Sequence, residues 1–189
     1  MYSLNLDTNA FLTNYWQKKP LLIKNAFPDF EEIISPDELA GLACEEEISS
    51  RVVVTKDNDW QICQGPFEDY DKFGDSHWQL LVQAVNHWHP DSADFINAFR
   101  FIPDWRFDDL MASFATPHGG VGAHIDNYDV FIIQGEGQRH WTVGAKGQYA
   151  AKNNDPTTPL IEGFEPIIDV VLEKGDMLYI PPGYPHQGQ

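Results

Sequence analysis

From about Met111 onward the chain is cut into short β-rich runs by glycine and proline, and this punctuation most limits what it can fold into. The runs cover 111–116, 121–126, 128–133, 138–143, 167–172 and 177–181. Closely spaced strands without helices between them indicate a β-sandwich or barrel, of which the double-stranded β-helix is one version. The segment 150–163, with Asn153-Asn154-Asp155-Pro156, reads as a loop between strands and not as a domain linker. No internal repeat or low-complexity stretch is evident.

The first 110 residues have a different texture. Residues 8–19 read as a short helix with Phe11, Leu12, Tyr15 and Trp16 on one side, stopped by Pro20, and 20–24 then reads as a strand. Ser35-Pro36-Asp37-Glu38 is a capping-box start: Ser35 accepts from an orphan N–H, Pro36 suits the first helical position and Glu38 reaches back. A helix from Pro36 to about Glu46 is expected. Residues 51–56 and 60–63 read as two strands joined by the turn Asp57-Asn58-Asp59. Residues 78–88, with Leu81, Val82 and Val85 on a 3–4 spacing, read as a helix ending before Pro90. The expected fold class is therefore mainly β with N-terminal α+β elements. One domain over 1–189 is expected, with an α/β part over 1–110 and a β core over 111–189.

Twelve basic residues against 29 acidic ones give a net charge of -17. That balance argues against binding nucleic acid through its phosphates, and for a cationic partner or simply a solvated acidic surface. Cys44 and Cys63 have no metal-type spacing and are expected to be reduced core residues, as in a cytoplasmic protein. The N-terminus lacks a basic region followed by an apolar one, and no segment approaches the ~20 apolar residues of a membrane span.

Within the β-rich part, His124 and Asp126 are separated by one residue in Gly122-Ala-His-Ile-Asp-Asn-Tyr-Asp-Val-Phe-Ile-Ile-Gln134. A strand places residues i and i+2 on one face, so both metal-binding side chains point the same way. His186 ends Gly175-Asp-Met-Leu-Tyr-Ile-Pro-Pro-Gly-Tyr-Pro-His186, a short apolar strand leading to a Pro/Gly turn suited to presenting an imidazole at a barrel mouth. Two histidines and one carboxylate make a facial triad, which leaves adjacent positions of an Fe(II) open for a co-substrate and oxygen. The same ligands accept Mn, Co, Ni or Zn. A histidine can also be a satisfied core residue, and His77, His87, His89, His118 and His140, which lack this context, are assigned surface or packing roles.

Arg139 follows the turn Gly135-Glu-Gly-Gln138 and enters the next strand. If that strand runs antiparallel to the His-x-Asp strand, an inward guanidinium can pair with the far end of an iron-chelating dicarboxylate such as 2-oxoglutarate. Otherwise Arg139 is a surface residue, and alternation alone does not choose. Ser113 offers a hydroxyl donor to the same ligand or is an ordinary strand serine. Asn127 and Tyr128 adjoin the triad as residues of a substrate mouth or of the core. Trp105-Arg-Phe-Asp-Asp109 reads as packing or substrate wall, packing being the safer assignment.

With these residues assembled, the chain resembles the cupin-type JmjC ribosomal oxygenases, and most of all their bacterial branch. The resemblance rests on Phe11-Leu-Thr-Asn-Tyr-Trp-Gln-Lys-Lys-Pro-Leu-Leu-Ile23, Asp108-Asp-Leu-Met-Ala-Ser-Phe114, the His-x-Asp segment with its preceding glycines, Gly137-Gln-Arg-His-Trp141 and the Pro-Pro-Gly-Tyr-Pro-His-Gln-Gly ending. It implies a JmjC double-stranded β-helix, or jelly roll, that stops before its last strand, with His124, Asp126 and His186 as iron ligands and Arg139 as the co-substrate arginine. It also implies Fe(II), with 2-oxoglutarate and O2 as co-substrates, and hydroxylation of an arginine in a basic segment of a large-subunit ribosomal protein, in the cytoplasm, with no membrane or direct nucleic-acid partner. Family members continue into a helical dimerisation region and a winged-helix-like domain, which are absent from this chain, so it is expected to be part of a longer protein whose full-length form is a homodimer. Hydroxylation of a ribosomal histidine, demethylation of a methyl-lysine, and a non-enzymatic metal-binding cupin that docks a basic partner are the competing readings.

Overall fold

The computed structural model describes residues 2–56, 59–152 and 160–189. Most of the turn expected at 57–59 and the Asn153–Pro156 stretch lie outside the described residues. Along the chain come α1 (Thr8–Asn14), β1 (Leu21–Ile23), α2 (Pro36–Leu42), β2 (Ser50–Lys56), β3 (Asp59–Gln64), β4 (Trp78–Val82), α3 (Pro90–Phe95), β5 (Ala112–Ala115), β6 (His124–Ile125), β7 (Val130–Ile133), β8 (Gln138–Gly144), β9 (Pro166–Glu173), β10 (Met177–Ile180) and β11 (Pro185–Gly188), with short 3-10 turns between some of them. They form two compact units that cut the chain differently from the parts expected at 1–110 and 111–189. The first takes residues 1–2 and 32–121, the second 3–31 and 122–189.

In the first unit an antiparallel sheet of order β3-β2-β4-β5 carries a core of Leu39, Ile48, Val52, Phe67, Trp78, Leu80, Val82 and Val85. The capping box forms as expected. Ser35 Oγ accepts from the Glu38 N–H at 3.3 Å, Glu38 accepts from the Ser35 N–H at 2.9 Å, and Pro36 opens α2. The helix is shorter than expected, ending at Leu42.

The helix expected over 78–88 is not formed. Residues 78–82 are the strand β4, hydrogen-bonded to β2 and β5 and buried at every position, and a single 3-10 turn follows at Val85–His87. A strand covered on both faces reads as an unbroken apolar run, which periodicity cannot separate from a buried helix. His77 (φ 66°) and Ala84 (φ 53°) turn the chain at either end. Pro90 opens a helix instead of following one: it sits at the start of α3, capped by His89, whose side chain accepts from the Ser92 N–H. Cys44 and Cys63 are free thiols, and of the two only Cys63 packs against the core of this unit. Cys44 is exposed just past the end of α2 and Cys63 is half-buried.

The second unit holds two antiparallel sheets of order β1-β10-β7 and β6-β11-β8-β9. Val143 and Leu172 from one sheet share a core with Leu178 and Ile180 from the other, joined by Leu22, Val130 and Ile132. This is the two-layered β arrangement expected from the short punctuated runs. Each of the fully buried aliphatic side chains contributes about 1.5–3 kcal/mol.

Residues 3–31 belong to this unit because they are tied to it at two places. Phe11 and Trp16 pack on Tyr179, with ring centroids 4.8 and 5.8 Å away, and Tyr179 Oη donates to Asp129 while accepting from the Gln17 N–H. Burial and the Asp129 carboxylate push the Tyr179 phenol well above its ordinary pKa. α1 ends at Asn14, short of the expected Lys19, and Gln17 is left-handed (φ 59°), which allows this contact. The second tie is Asp176, 5% exposed, which accepts from Lys24 Nζ at 2.6 Å and from the N–H groups of Asn25 and Glu173, each at 2.8 Å.

β11 is an interior strand of its sheet. It is hydrogen-bonded on one flank to β6 and on the other to β8. Among the described residues no helix is long and apolar enough to cross a membrane.

Candidate metal centre

The register of β11 assembles the site. His186 pairs directly with His124 on one side and with Val143 on the other, so the three side chains share the inner face of the sheet. The imidazole centroids of His124 and His186 are 4.3 Å apart. Asp126 Oδ2 lies 3.5 Å from His186 Nε2 and 4.0 Å from His124 Nε2. One ligand atom from each residue falls within 4.8 Å of the others. His186 is 2% exposed, and the side chains of His124 and Asp126 are 17% and 18% exposed.

Backbone carbonyls decide which imidazole nitrogens are available. His124 Nδ1 lies 2.9 Å from the Gly122 carbonyl and His186 Nδ1 lies 3.1 Å from the Tyr184 carbonyl. Since a carbonyl only accepts, both Nδ1 atoms carry a proton, and Nε2 of each ring is the atom turned toward Asp126. Such outer hydrogen bonds orient metal-binding histidines. Gly122, at φ 86°, adopts the left-handed turn that presents its carbonyl to His124. The Gly183 N–H donates to the Asp126 carbonyl at 2.9 Å, fixing the carboxylate strand to the Pro-Pro-Gly turn. Burial opposes ionisation of Asp126, but the His186 hydrogen bond and the nearby His124, with the Tyr128 hydroxyl, hold its carboxyl below the usual range. Two imidazoles and a carboxyl held below its usual range make a donor set that suits a divalent cation such as Fe(II).

Arg139 does face inward, but not by the expected route. The strand carrying it, β8, is not the neighbour of the His-x-Asp strand. β11 lies between them and is antiparallel to both, so β6 and β8 run parallel one strand apart. Arg139, Trp141 and Val143 alternate onto the face that carries His186, while Gln138 and His140 are exposed on the other, where His140 pairs with Asp169 at 2.6 Å. The guanidinium donates to the Gly188 carbonyl at 3.0 Å and lies 5.6 Å from the Trp141 ring. Burial pushes it down to about 10, which leaves it charged at neutral pH.

Gly188 makes this packing possible. A Cβ there would fall 2.7 Å from Arg139 Nε and 2.7 and 2.8 Å from Cζ2 and Cε2 of Trp141. The Trp141 indole nitrogen is buried, and among the described residues it has no hydrogen-bond acceptor. Leaving a donor in that state costs about 1–3 kcal/mol. Sequence reading passed over both residues, because a missing acceptor and a near-contact are three-dimensional properties.

Ser113 belongs to the first unit, exposed on β5 opposite Leu81, and the constellation above is built from the second unit alone. Tyr128 is 63% exposed and so is no core residue, and Trp105, at 79%, is not the packing residue expected.

Residues 94–189 match the JmjC domain. The chain belongs to the JmjC domain family. Within it, the chain is 54% identical over 187 residues to the ribosomal protein uL16 3-hydroxylase of Escherichia coli, covering 99% of this chain and 50% of that protein. It is 39% identical to a probable ribosomal oxygenase of Haemophilus influenzae, covering 97% of this chain and 46% of the relative. Among solved structures, the E. coli ribosomal oxygenase YcfD in complex with cobalt and 2-oxoglutarate superimposes with a TM-score of 0.92 at 53% identity, over all of this chain and 49% of that one. YcfD with cobalt and succinic acid gives a TM-score of 0.90 at 55% identity, again over all of this chain and 49% of that one. The JmjC chain described here thus spans about half the length of the curated relatives it matches.

Proposed function

We propose that this chain carries the catalytic centre of an Fe(II)- and 2-oxoglutarate-dependent protein hydroxylase acting on an arginine side chain of a large-subunit ribosomal protein in the cytoplasm. The observation that carries the reading is the inner face of the β6-β11-β8 sheet, where His124, Asp126 and His186 converge with both Nε2 atoms turned toward Asp126 and Arg139 lies farther along the same face. The 54% identity to a uL16 3-hydroxylase supports the substrate class.

His124, Asp126 and His186 would hold Fe(II) and leave adjacent coordination positions open. Arg139, still charged at neutral pH although burial pushes it down to about 10, would bind the distal carboxylate of 2-oxoglutarate. Fe(II) bound there would let O2 act as the oxidant, one oxygen atom going to succinate as 2-oxoglutarate loses CO2 and the other to the substrate carbon as C–H becomes C–OH. The chain's own residues do the rest. The backbone carbonyls of Gly122 and Tyr184 keep the imidazoles in the ligating tautomer, and Val143 and Leu172, both fully buried, keep water from the face between metal ligands and guanidinium. The net charge of -17 would draw a basic ribosomal segment towards the protein.

Mass spectrometry of a basic peptide from uL16, incubated with the protein, Fe(II) and 2-oxoglutarate, tests the reading. Addition of one oxygen to an arginine, dependent on both additions, is the expected result. Oxygen on a histidine instead would move the assignment to a histidyl hydroxylase, and loss of a methyl group to a demethylase. Bound metal without any 2-oxoglutarate-dependent succinate formation would leave a metal-binding protein that only docks its partner.

A further inference from the structure

We propose that His89 is a proton-operated latch in the first unit. The neutral imidazole caps the start of α3, and the protonated one lets that cap go and turns to Glu38 of α2.

The first N–H groups of a helix have no helical carbonyl to meet. In α3, Pro90 removes one of these donors and the Ala93 N–H donates to the His89 carbonyl at 3.1 Å. The Ser92 N–H donates to His89 Nδ1 at 3.4 Å, and the Ser92 hydroxyl lies 3.0 Å from the same nitrogen. Ser92 is 0% exposed, so both of its polar groups depend on this contact. Because an N–H only donates, Nδ1 accepts, and the proton of the neutral ring sits on Nε2.

That second nitrogen faces a carboxylate. His89 Nε2 is 3.9 Å from Glu38 Oε1. Glu38 Oε2 is taken by the capping box, accepting from the Ser35 N–H at 2.9 Å and the Ser35 hydroxyl at 2.7 Å, so Oε1 is the oxygen left over. The other titratable groups on the neighbouring turns are His87 in the preceding 3-10 turn and Asp91 and Asp94 in α3 itself. Among the described residues, Glu38 is the ion-pair partner the imidazole reaches.

Charge decides which contact survives. A second proton has to enter at Nδ1, where it turns the acceptor into a donor. The Ser92 hydroxyl can reverse and accept from it. The Ser92 N–H cannot, and it is left as an orphan donor in a fully buried residue. The same charge is drawn to Glu38. Acid therefore opens the first turn of α3 and neutral pH closes it, across the range of about pH 5 to 8 in which imidazoles change charge. The helix so loosened seats Phe95, 2% exposed, which meets Tyr2 edge-on at 4.9 Å and Phe99 at 5.7 Å.

The test is NMR of isotope-labelled protein from about pH 8 to about pH 5. Ring nitrogen shifts are expected to show His89 unprotonated at Nδ1 at the upper end. Protection of the Ser92 amide against hydrogen exchange, corrected for the intrinsic pH dependence of exchange, is expected to fall about tenfold as the His89 ring charges. His89→Asn, whose side chain caps a helix but does not titrate, is expected to hold that protection constant. Glu38→Gln, which keeps the capping box, is expected to move the His89 transition to lower pH. A proton on Nδ1 at the upper end, or Ser92 protection that stays within about twofold while the ring charges, would overturn the proposal without recourse to any variant. So would the same fall in His89→Asn, or a His89 transition unmoved in Glu38→Gln.

Discussion

At His124 and His186 each imidazole is committed at both ends, with Nδ1 held by a carbonyl two residues back and Nε2 turned to Asp126. His124→Ala and Asp126→Ala are each expected to lower Co(II) affinity by at least about a hundredfold, measured by visible absorption, and to abolish 2-oxoglutarate-dependent succinate formation. Full activity in either variant would sink the triad. Arg139→Ala is expected to raise the 2-oxoglutarate concentration needed for half-maximal turnover by about a hundredfold while metal affinity holds, because the lost contact is a charged hydrogen bond remote from the ligands. His124 and Asp126 were legible in the sequence because strand alternation puts i and i+2 on one face, whereas alternation left Arg139 open and only the family resemblance pointed to it. Trp141 was not, since nothing in the sequence says that its nitrogen will find no acceptor.

Elements were legible where a local signal is strong and ambiguous where burial is complete. Ser35 and Glu38 announce the start of α2 by a reciprocal pair of hydrogen bonds that needs no distant partner. Ser35→Ala is expected to cost about 1 kcal/mol in urea unfolding, the usual worth of a cap. β4 was misread because Trp78 to Val82 are covered on both faces, so no polar alternation survives to reveal the strand. The tie between β1 and the β9–β10 turn gives a pH-dependent prediction. Burial works against ionisation of Asp176, but Lys24 and the N–H groups of Glu173 and Asn25 outweigh it and keep the carboxyl below its ordinary range. A depressed pKa contributes stability that is present above the unfolded value and is lost as pH falls through the folded one. Asp176→Asn is therefore expected to lose about 2 kcal/mol at neutral pH and to show a shallower decline than the unaltered protein below about pH 4, followed by thermal unfolding across that range.

Over the whole molecule, the partition into units was the least legible feature. Residues 3–31 join the C-terminal half through contacts such as Leu22 with Leu178 and Gln17 with Tyr179, which span most of the chain and leave no local trace. Net charge, by contrast, is a property of composition and needs no fold. If the excess of acidic residues draws in a basic substrate segment, the KM for a basic uL16 peptide is expected to rise about tenfold between low and high ionic strength, with kcat little changed. A flat salt response would assign the acidic surface to solvation alone.

The strand β11 sits between β6 and β8, and alternate residues of it supply the imidazole of His186 and the bare α-carbon of Gly188 beneath Arg139. Side chains reverse faces when a strand slips by one residue. A misregistered β11 would withdraw the imidazole and the seat of the guanidinium in the same movement. The register of this one strand is therefore a condition for the third candidate ligand and for the packing of the guanidinium alike.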